Sequence, residues 1–97
     1  LHAELSTIIQ EEKDWPGELL HRIRDARKIS VEELCAVTKI SKTYILAIEE
    51  ENFKKLPAPV YLRGFLIQIA KILKLPHESV VGGYMARYFK ARPEQAS

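Results

Sequence analysis

Two capped helix starts, eleven residues apart, constrain the fold of this chain more than any other feature. Ser30 begins a Ser-x-x-Glu pattern that ends at Glu33, a capping box in which each side chain accepts the other residue's free backbone N–H. Ser41 begins a second helix in the same way, although tyrosine stands in the glutamate position. Only Val37 to Ile40 is left for the turn between them. Two helices joined by so short a turn predict a helix-turn-helix unit.

Helical spacing extends over the rest of the chain. Apolar residues recur three and four positions apart, and no segment shows the strict alternation of a half-buried strand. The pattern predicts one helix over 17–28 before the unit, with Arg24 on its outer side, and two helices after it, over 60–75 and 78–91. The predicted fold class is therefore all-α, a five-helix helix-turn-helix bundle with an additional N-terminal amphipathic helix.

The chain divides into three predicted segments. Residues 1–14 form a leader with one apolar side, residues 15–91 the helix-turn-helix domain, and residues 92–97 a C-terminal tail. The apolar residues of the leader are Leu1, Leu5, Ile8 and Ile9. A chain of 97 residues can build one modest core, which excludes a two-domain enzyme. It contains no apolar run of 18 residues, and we interpret it as a soluble fragment of a longer protein.

The formal net charge of +2 hides two halves of opposite sign. Residues 1–20 carry one lysine against five carboxylates, a net charge of −4. Residues 21–97 carry 14 basic side chains against eight acidic ones, a net charge of +6. A basic body is compatible with a nucleic acid or with an acidic protein surface, but it does not choose between them.

Side chains that could support catalysis or bind a metal form no known motif. Cys35 is the single cysteine, which excludes an intrachain disulfide, and we predict that it packs as a small apolar residue. The histidines, at positions 2, 21 and 77, are too scattered to predict a zinc site. The sequence lacks a phosphate-binding glycine loop. We expect no enzymatic activity, no cofactor, no metal and no small-molecule substrate.

The helix-turn-helix unit by itself suggests DNA binding, because its second helix, Lys42 to Glu50, can lie in a major groove. The candidate DNA-binding residues are Lys39, Lys42, Thr43, Arg24 and Lys54. Leu46 and Ala47 are predicted to point outward, where they offer no hydrogen bond to a base. Glu49 to Glu51 are predicted to form a solvated acidic face that repels phosphate. DNA binding is therefore the alternative interpretation.

The most specific motif surrounds a Pro-rich turn and reads Leu-Pro-x-Pro-x-Tyr-x-Arg-Gly-Phe, from Leu56 to Phe65. Together with Gly17-x-x-Leu20 and Arg24-x-x-Arg27 it resembles the cytoplasmic helix-turn-helix domain of the RodZ family, over residues 15–90. That resemblance implies a bacterial, cytoplasmic domain of a cell-shape protein. It also implies that the partner is the bacterial actin MreB, a cytoskeletal protein, bound through aromatic residues on the helix after the turn.

The aromatic positions that match this family contact are Tyr61 and Phe65, which share one side of the most apolar helix. Ile67 stands where RodZ-like domains commonly carry arginine, and the added apolar surface favours a protein partner over DNA. The predicted partner-binding residues are Tyr61, Arg63, Phe65 and Ile67. Gly64 is predicted to let another helix approach. We expect a non-enzymatic protein-interaction module whose partner is a bacterial actin-like or polarity-related protein. We also expect no membrane contact within this fragment, which is cytoplasmic or the cytoplasmic part of a larger or membrane-anchored protein.

Overall fold

A computed structural model describes residues 13–96 of the chain. This range contains five α-helices, two short 3₁₀ helices and no strand. The α-helices are α1 (Gly17–Ala26), α2 (Val31–Thr38), α3 (Lys42–Glu50), α4 (Pro59–Ile72) and α5 (His77–Ala91), and the 3₁₀ helices are Phe53–Lys55 and Pro93–Gln95. The predicted all-α, five-helix helix-turn-helix bundle is confirmed. The predicted amphipathic helix of the leader falls on residues outside the described range.

Both predicted helix caps are present. The Ser30 hydroxyl accepts the Glu33 backbone N–H at 3.0 Å, and the Glu33 carboxylate accepts the Ser30 N–H at 3.0 Å. The Ser41 hydroxyl accepts the Tyr44 N–H at 3.3 Å. These bonds satisfy backbone donors that a helix start leaves free, so α2 and α3 begin where the sequence predicted.

The turn between α2 and α3 is shorter than predicted, because Thr38 still belongs to α2. Its hydroxyl donates to the Leu34 carbonyl at 2.7 Å and accepts the Ile40 N–H at 3.2 Å. Within this turn, Lys39 is the residue that takes a left-handed backbone conformation, with a φ of 64°. The Thr38 side chain therefore closes the turn, which a count of residues between two caps could not show.

The core lies between the five α-helices, each of which contributes buried apolar side chains. Its largest fully buried side chains are Trp15, Tyr84, Tyr88, Leu20, Ile23, Leu34, Ile45, Ile48, Leu62, Leu66, Leu73 and Val80. The hydroxyl of Tyr84 donates to the Ile48 carbonyl at 2.7 Å, which connects α5 to the end of α3. Burial raises the pKa of Tyr84 well above its ordinary value. Cys35 is half-buried and packs against this core, as predicted.

The N-terminal segment, residues 13–16, packs against α5 and is hydrogen-bonded to it. Trp15 is fully buried and donates its indole N–H to the Ser79 hydroxyl at 3.1 Å. A Cβ added to Gly83 would overlap the Lys13 carbonyl and lie 2.7 Å from Trp15 Cδ1, so only glycine fits there. Arg87 extends the attachment, since its guanidinium binds Asp14 at 3.1 Å and Glu51 at 3.0 Å.

Candidate protein-docking site

Helix α4 buries one side in the core and exposes the other. Pro59 starts it with a ring already set for a first helical position. Leu62 and Leu66 are completely buried. On the other side, Val60 is 70% exposed and Tyr61 is 64% exposed, although both are large apolar side chains. The start of α4 therefore carries apolar surface that the fold itself does not cover.

Tyr61 and Phe65 lie together, as the sequence predicted, but with different surroundings. Phe65 is half-buried because its ring packs on Tyr44 of α3, with ring centroids 5.5 Å apart and planes tilted by 37°. Tyr61, one turn earlier, has no such cover. The contact with Tyr44 was missed from the sequence, since it joins two helices whose relative placement no local spacing reveals.

The other two predicted partner-binding residues lie on a different part of α4. Positions 61 and 63 are separated by about 200° around a helix that turns about 100° per residue. Arg63 accordingly lies beside α5, with its guanidinium carbon 5.8 Å from the centroid of the Phe89 ring. Ile67, one turn after Arg63, is half-buried. The structure thus brings the four residues together as two pairs and not as one patch.

Between these two pairs lies the outer side of α4, which is centred on Val60, Gly64 and Gln68. The sequence reasoning did not single out Val60 as a site residue. Its position opposite the buried Leu62 and Leu66 was the available signal. Gly64 was predicted to let another helix approach, and this is wrong within the domain. Apart from its chain neighbours and the backbone of its own helix, no atom of residues 13–96 lies within 4 Å of the position that a Gly64 Cβ would take.

The segment that contains α4 carries basic side chains and no acidic ones. Residues 52–77 include no Asp or Glu, although they include Lys54, Lys55, Arg63, Lys71 and Lys74. All five cations are exposed. Within the described part of the chain, none of them forms an ion pair with a carboxylate. The candidate docking site therefore combines exposed apolar groups with uncompensated positive charge.

The predicted DNA-binding residues are divided between the surface and the interior. Lys39, Thr43 and Lys54 are exposed. Lys42 is exposed too, but its ammonium group binds the Glu32 carboxylate at 3.0 Å. This hydrogen bond lowers the pKa of Glu32. The start of α3 thus keeps polar side chains at the surface, where a helix-turn-helix contacts DNA.

Arg24 was predicted to lie on the outer side of α1, and this is wrong. The side chain is 5% exposed, because α3 covers it and its Nε binds Glu49 at 2.7 Å. Its hydrogen bond to the Glu49 carboxylate raises the pKa of Arg24. Arg24 also donates to the Ile29 carbonyl at 2.9 Å, and it lies 3.0 Å from the His21 ring and 3.7 Å from the Asp25 carboxylate. The guanidinium is fully engaged inside the domain and is not available to phosphate.

The predicted acidic face of α3 is also wrong for two of its three glutamates. Glu49 binds Arg24, and Glu51 binds Arg87 and accepts the Gly17 N–H at 2.8 Å. Only Glu50 is exposed. Ala47 was predicted to point outward, but it is 3% exposed, on a helix that packs against α1. Repulsion of phosphate by this helix is therefore weaker than the sequence suggested.

Comparison with known proteins identifies the family. A family model described as a helix-turn-helix domain matches residues 19–80. The chain belongs to this family. It is 34% identical, over 68 residues, to the cytoskeleton protein RodZ of Streptococcus pneumoniae, and the match covers 70% of this chain and 25% of the relative. The predicted resemblance to the RodZ-type domain is confirmed.

A second relative is the uncharacterized membrane protein YmfM of Bacillus subtilis, 40% identical over 47 residues. That match covers 48% of this chain and 16% of the relative, so the chain spans a quarter or less of either protein. No solved structure matches the chain significantly. In the range 13–96, none of the helices has the length and apolar character needed to cross a bilayer.

Proposed function

We propose that this helix-turn-helix domain is a non-enzymatic module that docks a protein partner through the first two turns of α4. The partner class that the RodZ relative supports is cytoskeletal, and within it we propose a bacterial actin of the MreB type. The domain would then act on the cytoplasmic side of a larger protein concerned with cell shape. Its resemblance to a membrane protein of Bacillus subtilis supports that arrangement.

One observation carries this proposal, the exposure of Val60 and Tyr61 at 70% and 64%. In the described range only Val37 is a comparably exposed large apolar side chain, at 61%. Aromatic side chains contribute strongly to protein interfaces, because a large rigid ring buries much area at little entropic cost. Phe65 adds a second ring that Tyr44 holds in place. The site therefore has the chemistry of an interface anchor, while it offers no group for catalysis.

The test is the affinity of the whole chain for purified MreB, measured by biolayer interferometry. Tyr61→Ala should weaken binding at least about tenfold, since truncation of an aromatic anchor commonly costs about 2 kcal/mol or more. Far-UV circular dichroism should stay unchanged, because the ring contributes little to the core. Phe65→Ala should weaken binding as well, although it also removes the packing on Tyr44.

Val37→Ala is the matched control, because it truncates a similarly exposed apolar side chain on α2. It should bind MreB like the wild type. Equal binding by wild type and Tyr61→Ala would contradict the role of α4. Equal weakening by Val37→Ala and Tyr61→Ala would show a general loss of apolar surface and not a defined site.

DNA binding remains the second candidate, and one observation favours it. Glu49 and Glu51 are neutralised by arginines, while Lys39 and Thr43 stay exposed next to the start of α3. A titration of labelled duplex DNA in ~50 mM salt tests it, since non-specific complexes at physiological salt have a Kd of roughly 1–100 μM. No binding below about 100 μM would exclude DNA, whereas binding that weakens in Lys39→Gln and Thr43→Ala would support it.

A further inference from the structure

Gly64 is half-buried and lies in the middle of the side of α4 that faces away from the core, where nothing in the described domain requires a glycine. Beyond its chain neighbours and its own helix backbone, a Cβ there would meet no atom of residues 13–96 within 4 Å, and the backbone φ is not positive. Glycine inside a helix lowers stability relative to alanine. The absence of a side chain at this position therefore carries a cost that no contact within the domain offsets.

Two other glycines have a clear reason inside the fold. A Cβ on Gly17 would overlap the Ile48 and Glu49 carbonyl oxygens, and one on Gly83 would overlap the Lys13 carbonyl. Gly82 is the useful comparison, because a Cβ there also meets no described neighbour. Gly82, however, is on α5, away from the exposed apolar side chains of α4. What distinguishes Gly64 is its place beside Val60 and Tyr61, on the surface that already has the chemistry of an interface.

The charge around Gly64 indicates what can approach it. Arg63 and Lys71 are exposed on α4, Lys54 and Lys55 precede the helix, and no carboxylate lies anywhere in residues 52–77. Elsewhere in the described range, Arg24, Lys42, Arg87 and Arg92 are each paired with an acid of this chain. Arg22, Lys28, Lys39 and Lys90 are not, but they lie in segments that also contain carboxylates, so the absence of any acid is what sets residues 52–77 apart. Cations that are not paired with a carboxylate favour an acidic ligand and repel a basic one.

We infer that an acidic, apolar segment of the protein partner lies directly over Gly64, contacting Val60 and Tyr61 with its apolar side chains and the cations around α4 with its carboxylates. This inference rests on the proposed function and adds two things to it. Gly64 becomes a specificity-determining residue, because any side chain there holds the partner's backbone away. The partner becomes one whose docking segment is negatively charged.

The experiment compares Gly64→Ala with Gly82→Ala in the whole chain, each measured for thermal unfolding and for MreB affinity. Both variants should raise the Tm by about 4 °C, because each replaces a helical glycine that has no described neighbour. Gly64→Ala should nevertheless bind MreB at least about tenfold more weakly, as expected when a methyl group separates packed surfaces. Gly82→Ala should bind like the wild type. A stabilised domain with weakened binding cannot be explained by misfolding.

The charge of the segment is tested in the same assay with Lys71→Gln, and with Lys90→Gln on α5 as the matched control. Lys71→Gln should slow association severalfold at 50 mM NaCl and have little effect at 500 mM, where salt screens exposed charges. Lys90→Gln should not change the rate. Equal rates for wild type and Lys71→Gln at low salt would contradict an acidic docking segment.

The outcomes separate this inference from the proposed function. Binding that Tyr61→Ala weakens but Gly64→Ala leaves unchanged would overturn the inference and keep the docking function. No binding of MreB by the wild type would overturn both. Competition by anionic lipid vesicles, at concentrations where neutral vesicles do not compete, would assign the cationic surface to a membrane and overturn the acidic protein segment.

Discussion

The N-terminal segment and the outer side of α4 both contain aromatic and charged side chains. In the first these side chains have partners inside the domain, and in the second they are left exposed. In the N-terminal segment, Trp15 is fully buried with its N–H bonded to Ser79, and Asp14 binds Arg87. On α4, Tyr61 is 64% exposed and Lys71 has no carboxylate partner in the described range. The first region uses aromatic and charged groups to hold the fold together. The second leaves them available to a ligand.

This difference shows that a substitution's effect depends on what already satisfies the side chain. Where rings and charges have partners inside the domain, their loss should lower the free energy of unfolding. Where they have none, their loss should leave stability almost unchanged and appear only in binding.

The largest effect is expected for Gly83→Ala. The added methyl group overlaps the Lys13 carbonyl and Trp15 Cδ1, so the indole can no longer pack against α5 at this position. Loss of a buried tryptophan's packing costs about 3–5 kcal/mol, which is a large part of the stability of a small domain. Urea unfolding measures it. Gly82→Ala, one residue away with open space around it, should instead gain up to about 1 kcal/mol, and equal stability of the two variants would refute the docking of Trp15.

Arg24→Met should cost somewhat less, about 2–4 kcal/mol, because it leaves the covered carboxylate of Glu49 with only the partly exposed His21. Chemical unfolding of the single variant and of the Arg24→Met, Glu49→Leu pair measures the effect. The pair should recover much of the loss, since the double substitution removes the uncompensated charge. A double variant no more stable than Arg24→Met would show that packing, and not charge, dominates this contact.

Because Tyr84 is buried, the folded domain should lose stability at alkaline pH. Burial raises the pKa of Tyr84 in the folded state, so above pH ~10 the unfolded chain releases a proton that the folded chain keeps. The free energy of unfolding should therefore fall as pH rises through about 10. Tyr84→Phe should reduce that slope. At pH 8 the same variant should lose about 1–2 kcal/mol, because the Ile48 carbonyl loses its hydroxyl donor. Equal slopes for the two proteins between pH 8 and 11 would contradict this assignment.

The helix starts could be predicted from the sequence because local patterns determine them. The caps at Ser30 and Ser41 depend on residues three positions apart, and the start of α4 depends on the prolines before it, so these features follow from spacing alone. The exposure of Tyr61 could be anticipated because it falls beside the apolar stripe of its helix. These elements determine the helix-turn-helix and place the aromatic residues of the candidate docking site.

What the sequence could not predict depends on which helices meet. From the sequence, Arg24 is expected at the surface of α1. Its burial is favourable only because α3 packs there and places the Glu49 carboxylate against the guanidinium. Gly64 and Gly83 look alike within their helices, yet one faces open space and the other faces Trp15. The separation of Arg63 from Tyr61 follows from helical spacing, but the contact of Arg63 with the Phe89 ring depends on where α5 packs.

The smallest effect on stability is expected for Tyr61→Ala, and it tests the α4 half of the comparison. A ring that is 64% exposed loses little buried area when it is truncated, and alanine favours a helix more than tyrosine does. The free energy of unfolding should change by less than about 0.5 kcal/mol, in contrast to the several kcal/mol of Gly83→Ala. Urea unfolding with the same protocol checks it. A loss above about 1 kcal/mol would mean that Tyr61 supports the fold, and weakened MreB binding could then no longer be assigned to a lost contact.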